Sequence, residues 1–500
     1  MSAPYLLVRK TGAGFESRGQ SACRLGRELR FPGRELADGV FAEWSWDGAA
    51  LVARNGRFGF QPLYYFARDG EIGLSPSLPR LLLEGAPADL DEAGLAVFLR
   101  LGFFIGEDTP FRAIRALPPA ATLEWRGGEL RVSGGFARAR PQPVGRREAI
   151  DAYISLFRAA MQRRLPHGDD FAVPLSGGRD SRHILLELCA SGHRPSFCLT
   201  VRHFPPRTDQ DADIAARLTR ALGLRHVVLD QPESRLRTEL KKNMRTGFGA
   251  DEGTAFMAMG DYLAGRALAV FDGIGGDVLS AGLFLNAAEL ALFESARFAE
   301  LAGYLCSRWG QARADDLLAE GQRRRFGHEL AVSHLSAELE RHAAAPNPVG
   351  SFFFWNRTRR EIALFPAFFY GPGVEKRYPY LDHELYDFLA SLPASLLLDR
   401  QFHTRAILRA YPQFAHIPFD SYDSFYRYDE RYRAYIRRLM AELQAYLAEG
   451  PPSLICRSDL GARLLQRARD AREFELFSAH LIYLLQLERF VAGLPESARS

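Results

Sequence analysis

The segment 171–191 constrains the fold more than any other part of the chain. A short apolar run, 171–175, leads into Ser176-Gly177-Gly178-Arg179-Asp180-Ser181 and then into a helical pattern over 183–189. Strand, glycine turn and helix in that order aim successive backbone N–H groups and a helix N-terminus at one spot. That is an anion site suited to phosphate or pyrophosphate. The two glycines allow close approach, and the serine hydroxyls add donors. Asp180 suits such a place only with a bridging cation, and Mg²⁺ fits that role. The GxxxxGK[ST] spacing is absent, so this is not a Walker A loop.

The surroundings repeat the style. Apolar strands at 195–201, 226–230 and 267–272 alternate with an amphipathic helix at 213–224, and the last strand ends in Asp272-Gly273-Ile274-Gly275-Gly276-Asp277. Strands alternating with helices predict a parallel sheet covered on both faces. Residues 1–135 differ: short β-leaning runs are broken by DG and NG turns, with Gly127-Gly128 in a second hairpin, and Asp89 or Asp91 is placed to cap a helix at 90–101. After about residue 285 the pattern is nearly all helical. The aromatic runs 352–355 and 368–370 read as core.

At 500 residues, 47% hydrophobic and 25% charged, the chain has material for two or three domains. We expect an α/β protein divided into 1–136, a Pro- and Arg-rich linker 137–147, a nucleotide-binding domain 148–420 and a helical extension 421–500. A net charge of +4 without basic clusters points away from nucleic acid. No run approaches the length of a membrane span, and no signal layout opens the chain. Five unpaired-looking cysteines without a CxxC fit a reducing cytoplasm, the expected location.

Five segments in order resemble the asparagine synthetase family within the ATP-pyrophosphatases. SGGRDS resembles its pyrophosphate loop, and residues 272–277 its second glycine loop. Residues 375–382, EKRYPYLD, resemble its ExRxPFLD element, and 404–409, TRAILR, its KxxLR element. Residues 59–65, GFQPLYY, are similar to the end of RDxxGxxPLYY in the glutaminase-like domain, although Asn55-Gly56 stand where that segment has Arg-Asp.

The resemblance implies a shortened Ntn-hydrolase-like antiparallel sandwich followed by a parallel-sheet synthetase domain. It implies ATP and Mg²⁺, with adenylation of a carboxylate, release of pyrophosphate, and attack by an amine. Carried over by position, Ser176, Gly177, Gly178 and Ser181 hold the pyrophosphate. Asp180 and Asp277 hold Mg²⁺, while Leu175, Leu199 and Gly273 contact the adenosine, mostly by backbone.

Three departures matter. Ser2 follows Met1 where glutaminases of the family have Cys, the glutamine-binding segments are missing, and Cys23 is internal. The N-terminal domain is therefore expected to be a scaffold, with the amine not drawn from glutamine. Ile274 stands where asparagine synthetases carry Glu, and an aliphatic side chain cannot shuttle a proton. Arg405 replaces the catalytic Lys; lysine occurs only at 10, 241, 242 and 376. Arg405 can clamp charge but cannot act as acid or base. A base must then come from elsewhere, with His403, His203, Asp251 and Glu252 as candidates.

The expected activity is an amide ligase of specialised biosynthesis, nearer to β-lactam synthetases and lasso-peptide cyclases than to true asparagine synthetases. The alternatives are a lasso-peptide macrolactam cyclase and a non-catalytic ATP-binding regulatory homologue. The expected partner is a small-molecule or peptide carboxylate and amine. A homodimer or a pathway protein partner stays open.

Overall fold

The computed structural model describes residues 3–12, 14–31, 37–165, 168, 170–266, 269–371, 373–421, 426–467, 470–495 and 498. Ser2 lies outside them. Ten strands come first: β1 Leu6–Thr11, β2 Gly14–Gly19, β3 Ala22–Leu29, β4 Asp38–Trp46, β5 Ala50–Asn55, β6 Tyr64–Arg68, β7 Glu71–Ser75, β8 Arg115–Ala116, β9 Thr122–Arg126 and β10 Glu129–Ser133. They form two antiparallel sheets, β2-β1-β7-β6-β8 and β10-β9-β5-β4-β3.

The sheets stack because alternate residues face inward: Leu6, Val8, Ile72 and Leu74 from one meet Trp44, Leu51, Leu123 and Trp125 from the other. The β6–β7 turn works through Asp69 and Gly70, both at positive φ (41° and 74°), as a two-residue hairpin requires. Asp91 caps the helix Glu92–Leu101 by accepting the Gly94 N–H at 3.0 Å.

Residues 134–145 carry neither helix nor strand. After the helix Arg146–Gln162 come β11 Phe171–Pro174, β12 Phe197–Val201, β13 His226–Leu229, β14 Ala269–Phe271 and β15 Glu375–Arg377, a wholly parallel sheet in the order β13-β12-β11-β14-β15. The apolar residues of the central strands, Phe171, Val173, Cys198, Val270 and Phe271 among them, are buried, as strands covered on both faces must be, while those of β13 at the edge are half-buried. The architecture is thus mixed α/β, with an antiparallel N-terminal sandwich and a C-terminal parallel sheet with helices, as the sequence implies.

The two parts share a core. Phe58 and Phe60 pack against Phe354, and Phe58 against Tyr386 with ring centroids 4.8 Å apart. Beside them Arg164 donates to Asp38 at 2.8 Å and to Asp382 at 2.6 Å, all three side chains at most 3% exposed. The helix Ala471–Ala492 ties the ends together: Tyr483 stacks on Phe98 at 4.5 Å and donates to the Phe248 carbonyl at 3.0 Å. Among the described residues no helix is long and apolar enough to cross a membrane.

Candidate active site

Two loops leave the C-terminal ends of the neighbouring strands β11 and β14, where open α/β sheets bind their ligands. The first is held by its own side chains. The Ser176 amide donates to Ser181 Oγ and the Gly178 amide to Ser176 Oγ, each at 3.1 Å. The Gly177 amide donates to Asp211 Oδ1 at 2.8 Å, and its carbonyl accepts from the Asp420 amide at 2.8 Å. A Cβ at Gly177 would meet Asp211 and Ile214 at 3.0 Å, so glycine is what lets the loop and the helix Gln210–Leu222 lie this close.

The second loop turns at Gly275, whose φ is +89°. Asp272 fixes it, accepting the Ile274 amide at 2.9 Å and the Tyr370 hydroxyl at 2.8 Å. Asp180 opens the helix Asp180–Ala190, and Asp277 lies in the first turn of Gly276–Ser280. The two carboxylates converge. Burial, and then the charge of Asp277, push the Asp180 carboxyl well above its ordinary range; burial raises Asp277 while Arg357 counters it. Asp180 Oδ1 is buried without a hydrogen-bond partner. The nearest base, His403 Nδ1 at 3.3 Å, lies 3.0 Å from Ser280 Oγ. An orphaned carboxylate oxygen beside a second carboxylate fits a cation. Among the described residues no group of three or more His, Cys, Asp or Glu gathers as a metal site. Two carboxylates suit Mg²⁺, which takes its remaining ligands from phosphates and water, rather than zinc.

These loops form one end of a cavity of about 1110 Å³. Leu175, Ser176, Gly178, Asp180, Ser181, Gly273 and Asp277 line it; Gly177 and Leu199 do not. Leu199 lies behind, its carbonyl accepting the Leu175 amide at 2.8 Å. The middle is apolar, with Ile274, Leu283, Phe284 and Trp309. Asp251, Glu252 and Arg357 also line the cavity, with Glu473 and Glu475 of the C-terminal helix.

The structure does not bring Arg405 to this cavity. It lies on the exposed face of the helix Phe402–Ala410, half exposed, with its guanidinium 3.5 Å from Asp399. Helix phase is the reason: Phe402, His403, Ala406 and Ile407 face the core, which turns position 405 outward. Its neighbour Thr404 faces in, accepting from Arg179 Nε at 2.7 Å. His403 is fully buried behind Asp180 and bonds Tyr153 at 3.0 Å; burial, with His183 and Arg179 nearby, holds it neutral. His203 lines the nucleotide end, 2.9 Å from Asp211.

Sequence reading missed Arg179, Arg357 and Tyr370 as cavity residues. Phe352–Trp355 are core as read, but Tyr370, also read as core, turns its hydroxyl onto Asp272. The RTRRE run at 357–361 was the available signal for Arg357, since so much charge between aromatic runs is unusual in a buried helix.

Residues 152–413 match the family model for asparagine synthase, and 33–134 that for a glutamine amidotransferase domain. The first spans more than half of the chain, which belongs to the asparagine synthase family. No curated protein matches it. Among solved structures the chain is similar to an NMN synthetase from Francisella tularensis (14% identity, TM-score 0.19, 29% of this chain and 60% of that one). It is also similar to a glutamine phosphoribosylpyrophosphate amidotransferase from B. subtilis complexed with ADP and GMP (11%, TM-score 0.16, 55% and 59%). A third is the allosteric regulatory enzyme of purine biosynthesis (12%, TM-score 0.15, 43% and 46%). The chain thus spans three fifths or less of each, and likenesses this slight fix neither substrate nor activity.

Proposed function

We propose that the protein is an ATP-dependent amide ligase forming AMP and pyrophosphate, which adenylates a carboxylate and couples it to an amine from a source other than glutamine. The observation that carries this is the buried carboxylate pair Asp180 and Asp277, with Asp180 Oδ1 unpartnered, beside a glycine loop in a chain of this family.

Ser176, Gly178 and Ser181 line the phosphate end, with the N-terminus of the helix Asp180–Ala190 behind them. Asp180 and Asp277 would hold Mg²⁺, which when bound neutralises charge gathering on the leaving pyrophosphate. Arg179, whose charge acts on Asp180, and Arg357, whose charge acts on Asp277, supply fixed positive charge in the cavity, which Arg405 does not line. Apolar walls at Ile274, Leu283 and Phe284 exclude water from an activated acyl group that water would hydrolyse.

Cys23 supports a scaffold role for the N-terminal domain: it lies within β3, and burial pushes its thiol up, the wrong direction for a nucleophile. About 1110 Å³ is more than the roughly 300–1,000 Å³ of an ordinary small-molecule pocket. That room suits ATP at one end together with a carboxylate and an amine substrate beyond it.

The test is pyrophosphate release from ATP and Mg²⁺ across a panel of amino acids and short peptides. Wild type should respond to some members, and Asp180→Ala or Asp277→Ala should lose about 10²–10³-fold, the scale of one removed electrostatic group. Near-normal turnover in either variant would sink the reading.

A further inference from the structure

Part of the cavity wall is built from the segment after the helix Arg235–Arg245 and from the π-helix Phe354–Ile362. Asp251 and Glu252 line it, and Glu361 lies directly behind with its side chain 1% exposed. The buried Glu361 and Asp251 carboxyls act directly on each other, and Glu361 Oε1 accepts the Glu252 amide at 3.2 Å. Two ionised carboxylates offer only acceptors to each other and repel when buried together, so the pair keeps a proton.

His480, from the C-terminal helix, points the same way. Its Nδ1 lies 2.9 Å from the Leu476 carbonyl, which can only accept, so the ring proton sits there. That leaves Nε2 as a fully buried lone pair without a hydrogen-bond partner, 3.6 Å from Asp251 Oδ2. Burial, with Arg313 and Lys242 nearby, keeps the ring neutral.

The other charged neighbours are accounted for. Arg357 donates to Glu252 at 2.8 Å and lies 3.6 Å from Glu361. Lys242 donates to the Asp251 backbone carbonyl at 2.8 Å but pairs with Glu239 at 3.0 Å. The Tyr483 phenol stays protonated by burial. Behind the pair, Gly102 has no Cβ because the Asp251 carboxylate occupies that space.

Resting on the ligase reading above, we propose that Asp251 accepts the proton released by the amine as the amide bond forms, with Glu361 as the residue that positions it. The amine nitrogen bonds to the acyl carbon, and the acyl C–O bond to AMP breaks with its electron pair leaving on AMP. The N–H proton passes to Asp251. Before the step Glu361 carries the pair's one proton and donates it as a hydrogen bond to the Asp251 carboxylate; after it, both acids are neutral. The direction of each shift agrees. Burial, then Asp251 and Glu252, push Glu361 well above the carboxylate range. Burial and Glu252 raise Asp251 to about 6, near the value a general base needs at neutral pH. This also fills the gap left by Ile274, which has no proton to move.

The full chain tests this in two half-reactions with the responsive member of the peptide panel. These are exchange of labelled pyrophosphate into ATP, and amine-dependent AMP formation. Asp251→Asn should keep exchange within about 3-fold of wild type while AMP formation falls by about 10²–10³-fold, the range for a lost acid–base group. Glu361→Ala removes the donor to Asp251, so the acid limb of the amide-forming pH profile should move up. Glu361→Gln, still a donor, should restore it. Parallel loss of both half-reactions, or a limb unmoved by Glu361→Ala, would overturn the proposal.

A second measurement needs no turnover, so a failure of the ligase reading is separable. Isotope-edited infrared spectra of the resting protein should show a protonated carboxyl band persisting above about pH 5, beyond the ordinary carboxyl range. With the isotope label confined to glutamate, the Glu361 component of that band should disappear from Glu361→Gln. If wild type lacks it, the pair holds no proton and the proposal fails whatever the enzyme ligates.

Discussion

Gly276 is where the two loops touch, and Gly276→Ala isolates the geometry of the acid pair. The backbone tolerates alanine: φ at 276 is outside the left-handed region, the position opens a helix, and alanine gains up to about 1 kcal/mol of helix propensity over glycine. The obstacle is contact. The new Cβ would stand 2.7 Å from Asp180 Cγ and Oδ1 and 2.8 Å from Tyr380 Cζ, where ordinary contact begins at 3.4 Å. Something must move by about 0.7 Å, the difference between those distances. The Tyr380 ring is fully buried, which leaves the Asp180 carboxylate as the group that yields. Overpacking of this kind costs about 1–3 kcal/mol. If half of that is felt again when ligand needs the carboxylate in place, Mg²⁺-dependent ATP affinity falls by about 2- to 12-fold, at 1.4 kcal/mol per decade. Calorimetric titration of ATP with and without Mg²⁺ measures it, with thermal unfolding of the same samples as the check on folding. Gly303→Ala is the control, a helical glycine whose Cβ would meet nothing within 4 Å, and should leave binding unchanged. A folded Gly276→Ala protein that binds MgATP like wild type would refute the reasoning.

Two further outcomes follow from contacts already described. Arg405→Ala should change stability by less than about 1 kcal/mol and pyrophosphate release by less than about 3-fold, since it breaks only a surface pair; a 10²-fold loss would return the residue to the site. Arg164→Ala should destabilise by about 3–5 kcal/mol in denaturant titration, because it takes the bidentate cation from the buried Asp38 and leaves the buried Asp382 with only Arg163 of its two arginines. The pH sign is set by Asp382. Burial opposes its charge, but Arg163 and Arg164 prevail and pull it down to about 2. The folded value lies below the unfolded one, so this stability is complete above about pH 4 and lost as pH falls through about 2. A variant whose acid unfolding matches wild type would contradict that.

What was legible in the sequence was what neighbours along the chain decide. The strand–glycine–helix turns at 176–181 and 272–277 carry their chemistry in contiguous residues, so Asp180 and Asp277 could be read without knowing what packs on them. The DG and GG hairpins were legible for the same reason. β15 was not: Glu-Lys-Arg has no apolar pattern, and it is a strand only because β14 offers its edge. Arg405 shows that a residue's place in a motif does not give its side of the helix. Glu361 was invisible because its meaning depends on Asp251, more than a hundred positions away, and on a π-helix that periodicity does not announce.

The helix Ala471–Ala492 has a consequence in time as well as in space. It lays Ala479 and Leu476 into a cavity whose other walls include Leu101 and the loop at 176–181, so the cavity needs chain nearly four hundred positions apart. During synthesis the nucleotide loops emerge hundreds of residues before that wall exists. Contacts of such sequence separation form late, because loop closure must be met before they give anything back. A nascent chain can therefore carry complete phosphate loops and still lack an enclosed chamber. On the ligase reading, an acyl group activated then would be open to water, so amide formation without loss of ATP waits for the C-terminal helix to dock.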